Sequence, residues 1–369
     1  MILQEMSLCA FRNYDRATLE FAPGVNLIVG DNAQGKTNLL EAIAYLGSGK
    51  SFRASKTGEM VKFGAEFGEI SGKVFSQERQ QTLRFVLFSA GRPRQMWRNG
   101  VKKRSARDIA GVLPTVLFCP EDLMVLKAGS AQRRRMGDQV LCQLRPNYDA
   151  ALTEYNRILD QKSRILRDRY ENPALLDILP EYNTRLCQVG ALLISYRARF
   201  YQSLGAEAAR FHSQFSGGAE DFTLEYKTVS TVDEPFASIG ILTENLQEHL
   251  QKHYRAELET CQCLTGPHKD DFTVCLSGVD LKAYGSQGQT RTAAISLKLA
   301  QRELMSREWG EEPVLLLDDV LSELDPGRQD FVLNQIVSGQ VFITCCEPGR
   351  FTRLGKTMQI QHGSLVCSE

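Results

Sequence analysis

Two short stretches of this chain have the residue types and spacing for phosphate chemistry. The first is Gly30-Asp31-Asn32-Ala33-Gln34-Gly35-Lys36-Thr37, which fits G-x-x-x-x-G-K-[ST] in full. Its glycines let backbone N–H groups turn inward and cradle phosphate oxygens. Lys36 is placed to reach the β- and γ-phosphates of a nucleotide, and Thr37 to hold Mg2+ through its hydroxyl. The second stretch is "VLLLDD", ending in Asp318-Asp319. A wholly apolar run suits a central parallel strand buried on both faces, and acids at its C-terminal end stand where α/β sheets place ligand chemistry. Asp318 reads as a Mg2+ ligand and Asp319 as the group that polarises an attacking water. Without the phosphate loop, both would read as acids capping a following helix.

These residues need elements to hold them. "VNLIVG" (Val25–Gly30) reads as a short strand running into the loop. Leu39, Leu40, Ile43 and Leu46 then recur at helical spacing up to Gly47. "TLRFVLF" (Thr82–Phe88) alternates like a strand, Asn99-Gly100 is a two-residue hairpin signal, and "TVLF" starts another buried strand. In the middle the period changes. Apolar residues fall at 148, 152, 155, 159 and 166, with Lys162 breaking the series. A second series runs through Tyr182, Leu186, Val189, Leu193, Tyr196 and Phe200 in steps of four and three, continuing to Phe215 before Gly217-Gly218. Two long helices joined by a proline-containing turn imply an antiparallel arm, its second helix some 35 residues and about 50 Å long. The last third returns to strand–helix alternation. The expected organisation is a head at 1–135 and 258–369, split by a helical arm at 136–257.

The 369 residues suffice for two or three domains, with 43% hydrophobic and 24% charged content typical of a soluble globular chain. Lys+Arg and Asp+Glu are both 44, so any nucleic-acid surface must be local. No apolar run is long enough to span a membrane, and the N-terminus lacks a signal-peptide pattern. The ten cysteines contain no C-x-x-C and sit mostly in apolar strings, which reads as reduced thiols in a cytosolic protein. His249 and His253 form H-x-x-x-H without a third ligand nearby, which reads as an exposed helix rather than a metal site.

A third motif decides among phosphate-loop proteins. Ser286-Gln287-Gly288-Gln289 opens a helix upstream of "VLLLDD", the order of the signature and Walker B motifs in ABC-type ATPases. Their usual signature is L-S-G-G-Q; Ser286, Gly288 and Gln289 match, and Gly285 and Gln287 depart. Ser322 and Asp325 in "SELD" fall at the D-loop of that class, and Thr344 at the switch position, usually histidine. The resemblance implies that the signature completes the site of a second subunit, with Ser286 and the amides at its helix start meeting the γ-phosphate in trans. A monomer then holds two half-sites.

The gap of about 250 residues from Thr37 to Ser286 is far longer than in transporter motors, and with its helical arm the architecture resembles that of the SMC-like repair ATPases. "FRNYDRATLEFAPGVNLIVGDNAQGKTNLLEAIAYLGSGKSFR", "FCPEDLMVLKAGSAQRRRMGD", "LTGPHKDDF", "GSQGQTRT" and "LLLDDVLSELD" together resemble the RecF family of bacterial DNA replication and repair proteins. The fold that this implies is α/β: a P-loop ABC-type ATPase head, with a mixed or parallel sheet, helices and an antiparallel β subdomain, interrupted by an α-helical arm. It also implies a cytoplasmic, nucleoid-associated, weak DNA-dependent ATPase that uses ATP and Mg2+ and dimerises on ATP. The family's partners are DNA, RecO and RecR, with RecA loaded at gaps in recombinational repair, replication restart and SOS induction. An SMC-like DNA-tethering ATPase is the rival, disfavoured by the short arm.

By position, the resemblance makes Arg12, Asn13 and Arg53 candidate nucleotide contacts, with packing of the first strands the alternative for each. It sets Glu121 or Asp122 in the segment matching the Q-loop. Gly266–Asp271, "GPHKDD", matches a family motif whose chemistry stays open. Arg92, Arg94, Arg98, Lys102, Lys103, Arg104 and Arg107 crowd one hairpin region and Arg133–Arg135 form a second cluster. Both are candidate DNA-phosphate contacts, since such contacts dominate non-specific affinity.

Overall fold

In the N-terminal part of the chain run β1 (Ile2–Phe11), β2 (Tyr14–Glu20), β3 (Val25–Val29), α1 (Lys36–Ser48), β4 (Phe67–Ser76), β5 (Arg79–Phe88), β6 (Gln95–Arg98), β7 (Val101–Lys103) and β8 (Thr115–Phe118). The computed structural model describes residues 1–105, 108–336, 338–347 and 349–368. It forms two compact units, Met1–Leu123 with Lys298–Glu369, and Met124–Leu297.

The second unit contains α2 (Ser130–Leu144), α3 (Pro146–Asp168), α4 (Leu179–Ser216), β9 (Phe222–Lys227), α5 (Ile239–Thr260), β10 (Asp271–Leu276), β11 (Val279–Asp280), α6 (Leu281–Tyr284) and the start of α7 (Gln287–Trp309). The rest of the first unit follows as β12 (Val314–Leu317), α8 (Pro326–Gln335), β13 (Val341–Cys345), β14 (Gly355–Gln361) and β15 (Ser364–Ser368). No helix among the described residues is long and apolar enough to cross a membrane.

The first unit has two six-stranded sheets. One is antiparallel, in the order β2-β1-β4-β5-β6-β7; the other runs β15-β14-β3-β13-β12-β8 and is parallel except for β15. β12 and β13 are buried along their whole length, as expected of central parallel strands. A single apolar core joins Leu3, Met6 and Phe85 of the antiparallel sheet, Leu39 and Ile43 of α1, and Leu316 and Phe342 of the parallel one. α1 therefore has ten of its 13 residues buried rather than one stripe. The Asn99-Gly100 turn takes φ 52 and 75, the left-handed pair of a two-residue hairpin.

In the second unit α4 is 38 residues, about 57 Å, and stops at Gly217 in the left-handed region. α3 and α4 are antiparallel, because Arg197 reaches Tyr148, Arg185 reaches Glu154 and Leu166 clusters with Leu179. Lys162, which interrupts the apolar series in the sequence, is buried and pairs at 2.6 Å with Glu257 of α5. The Glu257 carboxylate also accepts from the Leu264 and Thr265 amides, so this polar position satisfies its partners inside the seam.

The unit boundaries differ from the sequence expectation. Residues 124–135, which include the start of α2, and residues 258–297 belong with the arm helices rather than with the head. The cause is a buried charge network. Arg197 pairs with Asp138 (2.9 Å) and Asp270 (2.8 Å), and Arg133 pairs with Asp271 (2.6 Å), while β10 adds to β9 in a three-stranded sheet. The "GPHKDD" motif lies at this hub. Arg197 also donates to Pro267 O, Arg134 to Asp270 O, and Tyr155 OH to His268 Nδ1 (2.7 Å). His268 Nε2 donates to Cys263 O, and burial lowers its pKa to about 4, so the ring stays neutral and clamps a turn.

Candidate nucleotide site and signature half-site

The phosphate loop hangs between β3 and α1. Gly35 has φ +114, and a Cβ there would lie 2.7 Å from the Asn13 side chain; a Cβ on Gly30 would lie 2.4 Å from Ile360 O. Both positions require glycine. The loop is braced from behind. Asn13 Nδ2 donates to Gln34 O (2.9 Å), Tyr14 OH to Gly35 O (2.9 Å), and the Gly363 and His362 amides to Gln34 O and Oε1. No side chain caps α1 and its first turn carries no acid. Its leading amides and dipole thus remain available to an anion.

Lys36 folds over the loop, 4% exposed, its Nζ donating to Gly30 O (2.6 Å) and Asp31 O (3.2 Å), with Cys346 Sγ at 3.4 Å. The Thr37 hydroxyl donates to Asp318 Oδ1 (2.9 Å), as does the Thr344 hydroxyl (3.0 Å). Thr344 Oγ1 also accepts from the Asp319 amide (2.8 Å). One buried threonine so holds the Asp318 carboxylate and the Asp319 backbone, and Asp319 sits at φ 51, uncommon for a non-glycine residue. Burial pushes the Asp318 carboxyl above its ordinary range. The Thr37 and Thr344 hydroxyls oppose that rise and the Asp319 charge adds to it.

The Thr37 and Asp318 oxygens are a hard donor pair, and no cluster of three His, Cys, Asp or Glu occurs among the described residues. That set fits Mg2+, which takes one or two protein oxygens and fills its shell with water and phosphate; bound there, the ion would neutralise phosphate charge. The loop amides and Lys36 fit the phosphates themselves. Asp318→Asn is expected to stabilise the nucleotide-free protein by about 1 kcal/mol, because a neutral amide still accepts from both threonines and a buried charge is removed. Thermal unfolding with and without Mg2+ and ATP checks this. The native chain gains stability from Mg2+ added with ATP and the variant does not; an unchanged Mg2+ effect would take Asp318 out of the metal site.

The remaining sequence candidates divide. Arg12 is committed to the buried Glu41 by two 2.8 Å bonds and to Glu59 O, so it packs the first strand against α1. Asn13 buttresses the loop and accepts from Asn38 Nδ2. Arg53 is exposed, donates to Asn38 Oδ1 (2.9 Å) and contributes its charge at Asp318. Asp122 pairs with Lys298 (2.9 Å) and accepts from the Cys119 amide, closing a turn, while Glu121 is exposed. Ser322 Oγ donates to Asp319 O (2.6 Å), and Asp325 caps α8 by accepting from the Arg328 amide. Thr344 is 1% exposed and engaged with the two acids. The residue of that strand end beside Lys36 is Cys346, which the sequence reading did not select. Tyr14 and Asn38 were also missed, although both adjoin selected residues.

In the second unit, Ser286 and Gln287 are exposed at the start of α7, with Gly288 and Gln289 partly covered. Ser286 Oγ accepts from the Gln289 amide (3.2 Å) and Gln289 Oε1 from the Ser286 amide (3.1 Å), a reciprocal capping box.

The basic clusters shrink. Arg94 donates to Tyr45 OH and Gly49 O, and Arg98 to Gln81 Oε1 and Asp108 O, so both are bound to their own unit. Arg92, Lys102 and Arg104 are exposed and Lys103 is half-buried on the edge strand β7; Arg107 lies outside the described residues. Arg133 is 1% exposed and held by Asp271 and two carbonyls, which makes it a core residue rather than a DNA contact. Arg134 likewise donates inward, to Asp270 O, and Arg135 is exposed. His249 and His253 stack on α5 with ring centroids 4.0 Å apart, and His249 Nδ1 bonds the Thr265 hydroxyl.

Comparison with known proteins agrees with this geometry. The model of the family described as RecF/RecN/SMC N terminal domain matches residues 2–367. A DNA replication and repair protein RecF from Agathobacter rectalis is 38% identical over 353 residues, covering 96% of this chain and 94% of that protein. The RecF protein of Bacillus subtilis is 36% identical over 375 residues, covering 99% and 100%. Among solved structures, the recombination mediator protein RecF-ATPrS in the RecFOR pathway superposes with a TM-score of 0.91 at 34% identity, covering 99% of this chain and 97% of that one. An SMC head bound to the C-terminal winged-helix domain of ScpA, at 16% identity and a TM-score of 0.57, shares the fold. By this match over nearly its whole length, the chain belongs to the RecF family of SMC-like ABC-type ATPases.

Proposed function

We propose that this protein binds ATP with Mg2+ at Gly30–Thr37 and hydrolyses it slowly when the Ser286–Gln289 motif of a second copy closes over the γ-phosphate. The active species is then an ATP-dependent homodimer. The observation carrying this reading is the hydrogen-bond chain from Thr37 through Asp318 and Thr344 to the Asp319 amide, which joins loop and acids into one site. In that site Lys36 and the loop amides hold the phosphates, Asp319 polarises the water, and Ser286 with the α7 amides stabilises the charge that develops. Loss of the γ-phosphate removes the bridge, so dimer lifetime is set by turnover.

The names of the RecF relatives support a role in bacterial DNA replication and repair, and the RecFOR setting of the matched structure supports action beside RecO and RecR. On this reading the protein binds duplex DNA and single-strand gaps at the nucleoid, in part through Arg92, Lys102, Lys103 and Arg104. There it promotes RecA loading in recombinational repair, replication restart and SOS induction.

The test is ATP turnover and light-scattering mass with single-stranded, duplex and gapped DNA, for the native chain and Ser286→Arg. DNA is expected to stimulate native turnover. Ser286→Arg is expected to bind ATP within about twofold of native and to form no ATP-dependent dimer, since a guanidinium fills the γ-phosphate position. Turnover indifferent to every DNA would remove the DNA role, and a normal Ser286→Arg dimer would remove the trans arrangement.

A further inference from the structure

Glu220 lies in the connection between α4 and β9, and each of its carboxylate oxygens is taken by a different element. Oε2 accepts from His212 Nε2 of α4 at 2.9 Å, and Oε1 accepts from Gln289 Nε2, in the first turn of α7, at 2.7 Å. A carboxylate only accepts, so His212 Nε2 carries the proton. Its Nδ1 has no hydrogen-bond partner among the described residues, on a ring with no exposure to solvent. Among the described residues Glu220 is therefore the one hydrogen-bond partner of this ring.

The Gln289 amide has two chemically distinct ends, and Glu220 decides which way it faces. With Nε2 drawn to the carboxylate, Oε1 must face the Ser286 amide, from which it accepts at 3.1 Å. The Ser286 oxygen in turn accepts from the Gln289 amide at 3.2 Å. This leaves the Ser286 hydroxyl proton for an acceptor outside the helix, such as a phosphate oxygen. The Gln289 amide bond is also the main influence holding the Glu220 carboxyl below its ordinary range, which keeps the acceptor charged.

We propose that Glu220 is a positioning residue of the signature half-site, and that His212 is the contact through which the end of the arm helix α4 sets it. The proposal rests on the reading of Ser286–Gln289 as the lid on the ATP of a second copy. Neither Glu220 nor His212 belongs to the phosphate loop or the paired acids. Changing them alters how well one subunit completes another's site, while each subunit's own hold on nucleotide stays the same.

The experiment compares Glu220→Ala, His212→Leu, His212→Gln and Ser286→Arg in the full chain. Fluorescent-nucleotide affinity is measured at dilutions where the protein is monomeric, and ATP-driven dimerisation by light scattering. Glu220→Ala and His212→Leu are expected to bind nucleotide as the native chain does and to dimerise about tenfold more weakly. His212→Gln, whose amide can still donate to Glu220, is expected to dimerise within about threefold of native. A merely structural role would lower nucleotide affinity and dimerisation together, which would overturn the proposal. Native dimerisation in Glu220→Ala beside a blocked Ser286→Arg overturns it and leaves the trans reading standing. Native dimerisation in Ser286→Arg takes down that reading, and the proposal with it.

Discussion

Lys36→Met is expected to bind ATP at least a thousandfold more weakly than the native chain, a loss of about 4 kcal/mol. The Lys36 ammonium lies on the Gly30 and Asp31 carbonyl oxygens at 2.6 and 3.2 Å, nearly sealed from solvent. It stands among loop amides, beside an uncapped helix start, where a phosphate would exchange carbonyl dipoles for a full anion partner. Methionine has a similar length and no charge, so the fold survives. A buried ammonium is also costly to keep desolvated, and that offsets the donor lost by the two carbonyls. Fluorescent-nucleotide titration beside thermal unfolding separates the two effects. A variant that keeps native affinity would refute the assignment of the loop.

Arg197→Met is expected to cost 3–5 kcal/mol in the second unit, on the order of half the stability of an ordinary domain. Arg197 is 3% exposed and joins Asp138, Asp270, Tyr148 OH and Pro267 O. Its removal strands two acids rather than one bond. Burial already raises the Asp270 carboxyl above its ordinary range, with Arg197 the first influence opposing the rise. Without the guanidinium, Asp270 favours its neutral form in the folded protein. Folding then takes up a proton, so lowering the pH through that raised pKa restores stability to the variant. His268, held neutral by burial in both chains, costs each the same stability as the pH falls from 6.5 to about 4 and drops out of the comparison. The deficit of the variant relative to native therefore shrinks as the pH falls from 7.5 to 5. Urea unfolding followed through helix content at both pH values measures it. A deficit that does not change with pH would mean Asp270 is not the stranded group.

The parts legible in advance share one property. β3, the phosphate loop and α1 are contiguous, and so are β12 and its two acids, so residue type and period report them directly. The hairpin at Asn99-Gly100 and the helices α3 and α4 were readable for the same reason. The unit boundary was not, because the apolar period of residues 258–297 says strand and helix without saying whose partner they are. Buried Asp270 and half-buried Asp271 settle that through Arg197 and Arg133, which are distant in the chain and whose charge resembles that of any surface arginine. Lys162 shows the same limit: read alone it breaks an apolar helical series, and only Glu257 across the helices gives it a buried partner.

The amino-acid sequence alone establishes the residues of a phosphate-loop motif at Gly30–Thr37, an apolar strand ending in Asp318-Asp319, and a helix opening at Ser286–Gln289. Each is a local arrangement in which neighbouring residues supply both the backbone conformation and the chemistry. Tertiary structure decided the rest. It set Thr344 between the Asp318 carboxylate and the Asp319 amide, took Arg12, Arg94 and Arg133 out of the pool of free cations, and set Glu220 between α4 and Gln289. Hydrogen bonds and desolvation depend on which groups meet in space, and one linear string does not encode those pairings residue by residue.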